Sequence, residues 1–221
     1  MKNKITYIML GIGILSQLVT FLITKDAVIS AISGIAGVIS VVFCSERRVS
    51  YYVWSFIQIL TYTYICWYSG LWGKLLENAF YFITGIIGII IWIKNLDNDN
   101  LVKTKTLSIN GIVKCLITGM VGFCVLYIIL VFTGGNMPFL DAFTTTLAII
   151  AQVLMMLRYK ENWVVWFIMN ILCIILWSIE HNWCMVAQYI FWTGNTIYGY
   201  IEWNKSTMNF EGFNKFSDKT F

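Results

Sequence analysis

The chain has 221 residues, of which 59% are hydrophobic and 12% charged, with a formal net charge of +4, one proline and a mean hydropathy of +0.75. A soluble fold of this length cannot hide so much apolar surface, because burial rises only slowly with chain length. The excess has to face lipid, which excludes soluble and secreted proteins and indicates an all-α, polytopic membrane protein.

A helix that crosses a hydrocarbon core of about 30 Å needs about 20 apolar residues. Eight runs qualify in chain order: 5–23, 28–44, 50–68, 75–93, 112–132, 141–157, 163–179 and 184–203. Their only charges, Glu77, Lys114, Asp141 and Glu202, lie close to the ends. The first run is too long for a signal peptide and lacks a small-residue cleavage site. The predicted organisation is an extra N-terminal span in 1–27 and a three-span repeat over 28–93. A cytoplasmic connection, linker span and external loop fill 94–140. A second three-span repeat covers 141–203, and a polar cytoplasmic tail covers 204–221.

If the eight spans alternate, 13 basic residues fall on one side, including Arg47, Arg48, Lys94, Lys103, Lys105, Arg158 and Lys160. Only Lys25 and Lys74 fall on the other. This asymmetry predicts cytoplasmic N and C termini. It also accounts for the net charge without a nucleic-acid partner. The six cysteines, Cys44, Cys66, Cys115, Cys124, Cys173 and Cys184, all lie within spans and form no CxxC pair. They read as small apolar packing residues.

The chain resembles itself at an offset of about 112 residues, which lays Tyr51, Trp54 and Gln58 over Trp163, Trp166 and Asn170. Further on the offset loses one residue, and GIIIW at 88–92 lies over GYIEW at 199–203. From the start of one copy to the start of the next the chain crosses four times, so the copies run parallel. Parallel repeats are a transporter architecture, with the substrate expected near the midplane at the repeat interface.

Trp163, Trp166 and Asn170 stand at i, i+3 and i+7, on one helix face. An amide at mid-depth needs a hydrogen-bonding partner, so this face looks at protein or a wet cavity. Two indoles and an amide suit a flat heteroaromatic ring with polar edges. The bland alternative is an interfacial aromatic belt with the asparagine joining helices. Gln188, Trp192 and Asn195 form a second such face, and Gln152 and the shallower Asn78 add intramembrane amides. Gln17, outside the repeat, reads as packing, as does the small-residue row Gly34, Gly37, Ser40. His181 beside Glu180 reads as a solvated loop pair.

No histidine or carboxylate lies deep in a span, which favours passive transport over ion coupling. One histidine in the chain is too few for an intramembrane metal enzyme, GxSxG is absent, and no cofactor or metal is expected. The rival readings are an ion-coupled transporter and a non-transporting membrane scaffold.

RYKENWVVWFIMN at 158–170 is similar to the WxxWxxxN signature of the PnuC nicotinamide riboside transporters. The resemblance extends over roughly 28–205, including DAFTTTLAIIAQVLM at 141–155 and the closing Gly-x-x-x-Trp of each repeat. Two departures stand out: Gln58 where many members carry Asn, and LENAFYF at 76–82 in place of Leu-Asn-x-x-Tyr. The resemblance implies a 3+1+3 fold related to SWEET-type sugar transporters, assembled as a homotrimer in a bacterial inner membrane. It implies facilitated diffusion of nicotinamide riboside for NAD synthesis, made one-way by a cytoplasmic kinase. Trp163, Trp166 and Asn170 then belong to the substrate site. Tyr51, Trp54, Gln58, Gln188, Trp192 and Asn195 extend it by repeat symmetry and helix face. Thiamine, riboflavin and deoxynucleosides are the alternative substrates on the same scaffold.

Overall fold

A computed structural model describes residues 2–24, 28–68, 72–134, 137–179, 181 and 183–217. Among them are eight α-helices: α1 (Lys2–Thr24), α2 (Val28–Ser45), α3 (Tyr51–Tyr68), α4 (Trp72–Ile93), α5 (Ile109–Phe132), α6 (Pro138–Met156), α7 (Asn162–Ile179) and α8 (Trp183–Ser217). Each predicted apolar run lies within one of them or meets its ends to within a residue. Lys25, used for the orientation, and Glu180, paired with His181, lie outside the described residues.

Helices α1, α2, α5, α6 and α7 are each long and apolar enough to cross a membrane. In α4, Glu77–Ile93 is an apolar helical stretch. Polar residues dilute α3 and α8, which carry Gln58 with five tyrosines and Gln188 with Asn195, respectively. The polar tail expected from 204 is not a separate segment, because α8 continues unbroken to Ser217. At about 1.5 Å per residue its length exceeds a hydrocarbon core by several turns.

The chain divides into two compact units, residues 1–103 and 104–221. Each holds four helices, and each helix packs on its neighbour in sequence. In the first unit, Gln17 of α1 fills the space left by the missing side chain of Gly34 on α2. Thr6 Oγ1 donates to Glu46 Oε1, and Glu46 also pairs with Arg48 at 2.6 Å, so α1 is held at the end of α2. Gln58 of α3 lies against Gly37 of α2, with the site of a β-carbon 2.8 Å from Nε2. The predicted small-residue row therefore packs helices.

Helix α2 ends in a Schellman motif: Arg48 N–H donates to Phe43 O at 3.0 Å and Arg47 N–H to Cys44 O at 2.9 Å. Arg47 takes the left-handed position that usually falls to glycine, with φ of 64°. Its guanidinium offsets the strain by donating to Val102 O at 2.9 Å and to Asp97 at 3.3 Å. The LDNDN run is a turn closed by Asp97 Oδ1, which accepts from the N–H groups of Asp99 and Leu101.

In the second unit α6 ends the same way. Tyr159 N–H donates to Leu154 O, Arg158 N–H donates to Met155 O, and Arg158 has φ of 69°. Burial lowers the Arg158 pKa from its ordinary value, with Tyr159 opposing. Residues 104–108 dock beside this corner: Lys105 N–H donates to Arg158 O at 3.0 Å, and its ammonium lies 4.2 Å from the Tyr159 ring centroid. Thr104 Oγ1 donates to Trp203 O at 2.8 Å. Ser108 caps α5, and the single proline opens α6.

Candidate functional site

The second unit carries the WxxWxxxN face. Trp163 stands one residue inside α7, where only a side chain with no Cβ opposite allows a large ring to lie down. That residue is Gly199 of α8: a β-carbon there would meet Trp163 Cε2, Cζ2 and Cδ2 at 2.6, 2.6 and 2.7 Å. One turn further along α8, Trp203 meets the indole edge-on, with centroids 5.7 Å apart and planes at 85°. Trp163 is thereby 4% exposed, and its Nε1–H is buried without an acceptor. It is a helix-seating residue first; little of its ring is left for a ligand.

Trp166 is half-buried against the cluster Ala148, Met169 and Cys173, together with Trp177 and Tyr189. Asn170 is 2% exposed. On α8, Gln188, Trp192, Asn195 and Gly199 fall on one face at i, i+4, i+7 and i+11. Because Gly199 receives Trp163, that face looks at α7. The two helices are consecutive and antiparallel, so Asn170, seven residues after Trp163, lies level with Trp192, seven residues before Gly199. Tyr189 sets Trp192 edge-on at 5.0 Å, and the Trp192 Nε1–H is buried without an acceptor. By helix geometry Asn170, Trp192 and the buried Asn195 thus face the α7–α8 contact, while Trp166 packs on the same cluster as Tyr189 of α8. Gln188, closer to the start of α8, is half-buried.

In the first unit the corresponding helices seat a different tyrosine from the one expected. Tyr52 lies against Gly88, where a β-carbon would collide with its hydroxyl and stand 2.9 Å from Cζ. Tyr52 is 1% exposed and meets Trp92 edge-on at 5.1 Å and 77°. The pair Tyr52–Gly88 with Trp92 matches Trp163–Gly199 with Trp203 at a constant spacing of 111 residues. Arg47 and Arg158, the starts of α3 and α7, and the starts of α4 and α8 keep the same spacing.

This corrects the offset of 112 within α3. The counterparts of Trp163, Trp166 and Asn170 are Tyr52, Ser55 and Ile59. Gln58 corresponds to Met169, and both pack on the first helix of their set, Gln58 at Gly37 and Met169 at Ala148. The repeat symmetry that recommended Tyr51, Trp54 and Gln58 is therefore absent. Tyr51 is buried, 4.5 Å from Tyr52 and 5.5 Å from Trp92, while Trp54 and Gln58 are half-buried. A one-residue slip turns a helix by 100°, and weak identities could not detect it.

Sequence reasoning underrated two residues. Asn78 is buried with Nδ2 unpartnered, and Tyr52 was not singled out at all. The Gly-x-x-x-Trp repeat was the signal for Tyr52, because the glycine needs an aromatic to receive.

A sequence profile of the family described as nicotinamide mononucleotide transporter matches residues 27–205. A nicotinamide riboside transporter PnuC of Haemophilus influenzae is 32% identical, over 89% of this chain and 88% of its own. That of Neisseria mucosa is 28% identical, over 93% of this chain and 82% of its own. The crystal structure of a vitamin B3 transporter, PnuC, superimposes with a TM-score of 0.75 at 29% identity, covering 92% of this chain and 90% of that one.

Proposed function

The chain belongs to the nicotinamide mononucleotide transporter family, multi-pass membrane transporters rather than enzymes, and from that premise we propose that it carries nicotinamide riboside into a bacterial cell by facilitated diffusion. What supports the reading is the α7–α8 seam, with the signature residues Trp166 and Asn170 on the α7 side and Trp192, its indole N–H unpartnered, on the α8 face turned to α7. Trp166 offers a π-face to a pyridinium, a cation–π attraction of about 0.5–2 kcal/mol. Asn170, Asn195 and Gln188 offer amide donors and acceptors for a carboxamide and ribose hydroxyls. Trp163 holds α7 against α8 and keeps that face presented.

Charge sidedness supports an inner-membrane protein with both termini cytoplasmic. The spans hold no deep carboxylate, which favours uniport. Net uptake would then depend on a cytoplasmic kinase that phosphorylates the riboside for NAD synthesis, and a homotrimer is the expected assembly.

Uptake of labelled nicotinamide riboside into proteoliposomes tests this. The expected result is equilibration without accumulation, insensitive to ionophores, and lost in Trp166→Ala and Asn170→Ala variants that remain folded. Normal binding by both variants would sink the site. Accumulation against a gradient would replace uniport with coupling, and binding of thiamine, riboflavin or a deoxynucleoside in preference would move the substrate.

A further inference from the structure

Within the second unit, the end where α7 begins is tied together by hydrogen bonds between separate segments, most of them made by residues 104–107. Lys105 N–H donates to Arg158 O at 3.0 Å, and Lys160 N–H donates to Lys105 O at 3.1 Å, a one-residue parallel bridge between Lys105 and Tyr159. Two positions on, Leu107 N–H donates to Glu161 Oε2 at 3.0 Å. The neighbouring Thr104 reaches α8. Its Oγ1 donates to Trp203 O at 2.8 Å and stands 2.9 Å from Thr207 Oγ1, and both threonines are buried. Lys160 Nζ completes the set by donating to Asn204 Oδ1 of α8 at 2.8 Å.

Trp203 is the ring that meets Trp163 edge-on, so the bonds that fix Trp203 also fix the seat of α7. Thr207 Oγ1 lies 3.0 Å from Trp203 O, so that one helix carbonyl holds two buried hydroxyls. Further along the unit the helices meet through apolar side chains instead, with Met169 and Cys173 of α7 packed beside Ala148 of α6 and Tyr189 of α8. Directional bonds hold one geometry, whereas packed apolar helices can slide in shear.

We propose that Thr104 and Thr207 are positioning residues of a latch that stays closed throughout the transport cycle. Residues 104–107, the α6–α7 corner and the adjoining part of α8 then move as one body. The change of shape within this unit falls where α7 and α8 meet through apolar side chains. The proposal rests on the reading of the chain as a transporter, and not on which vitamin it carries.

The test is a covalent lock. Thr104→Cys combined with Thr207→Cys puts sulfurs where hydroxyls 2.9 Å apart now stand, a small adjustment from a disulfide of about 2.0 Å. The full-length double variant in proteoliposomes is compared oxidised and reduced for uptake of labelled nicotinamide riboside, with the single variants as controls for the native cysteines. A latch that stays closed gives equal initial rates in the two states. Loss of uptake on oxidation, restored by reductant, shows that the latch opens during the cycle and overturns the proposal. Absence of the crosslink under oxidant overturns the contact itself.

Hydrogen exchange on the full-length protein adds an arm that needs no substrate. Thr104→Val should speed exchange of the Lys105 and Lys160 amides by about tenfold, and Thr104→Ser should restore the parent's protection. Parent-like exchange in Thr104→Val overturns the latch. Absence of riboside uptake by the unmodified protein rejects that substrate, and exchange then decides the latch by itself.

Discussion

Trp163 lies flat on Gly199, with three of its ring atoms where a β-carbon would have to stand. That one contact fixes the register of α7 on α8. It decides that Asn170 stands level with Trp192 and that Gln188, Trp192 and Asn195 look towards α7. The signature tryptophan works through its seat as much as through its surface.

Gly199→Ala is expected to destabilise the fold by about 1–3 kcal/mol, the range for overpacking a filled contact, because a rigid indole cannot bend away. In a Trp163→Phe background the smaller ring can retreat, and the same substitution should cost less. Thermal melts of the four proteins of this cycle measure the coupling. Additive effects would show that the two residues do not share a seat.

The α2 corner separates backbone strain from side-chain bonding. Arg47→Ala loses the bonds to Val102 and Asp97 and keeps a left-handed residue with a β-carbon. Arg47→Gly loses the same bonds but relieves the strain. Alanine should therefore be the less stable of the two by about 1 kcal/mol. Limited proteolysis of the 94–103 connection, faster in the alanine variant than in the glycine variant, checks the order.

Nicotinamide mononucleotide should bind at least about tenfold more weakly than the riboside, since burying an unpaired phosphate charge costs far more than an apolar or hydrogen-bonded group. Competition titrations against the riboside measure this. Equal affinities would require a cation within reach of the substrate and would revise the electrostatics of the seam.

Sidedness is testable without substrate. A fluorescent reporter fused after Phe221 should mature, and cysteines placed at Lys103 and Lys205 should be modified by a membrane-impermeant reagent only in inside-out vesicles. A cysteine at Lys74 should react only in right-side-out vesicles. A reversed pattern would turn the whole topology over.

Much of the fold was legible in the chain before any coordinates, because the bilayer leaves little freedom. A spanning segment must satisfy its backbone internally and match the hydrocarbon thickness, so runs of apolar residues locate helices almost directly. Seven of the eight predicted runs met their helices at both ends within a few residues and the eighth met the start of α8, and WxxWxxxN marked α7 because its residues share one face. The end of α8 was not legible: polarity after Glu202 marks where lipid stops, and a helix does not have to stop there.

The candidate site divides on the same line. Sequence by itself determined the class of the protein, its helices, its family and the chemistry of the α7 face. Tertiary structure decided the register of the repeat, which turns on Tyr52 meeting Gly88 and Gln58 meeting Gly37. It also decided that Trp163 is a seated strut, held by Gly199 and Trp203. The physical reason is that hydrophobic composition depends on depth in the bilayer, which changes by only about 1.5 Å per residue, whereas the direction of a side chain turns by 100°. A slip of one residue is invisible to the first and decisive for the second, and only close contacts at glycines resolve it.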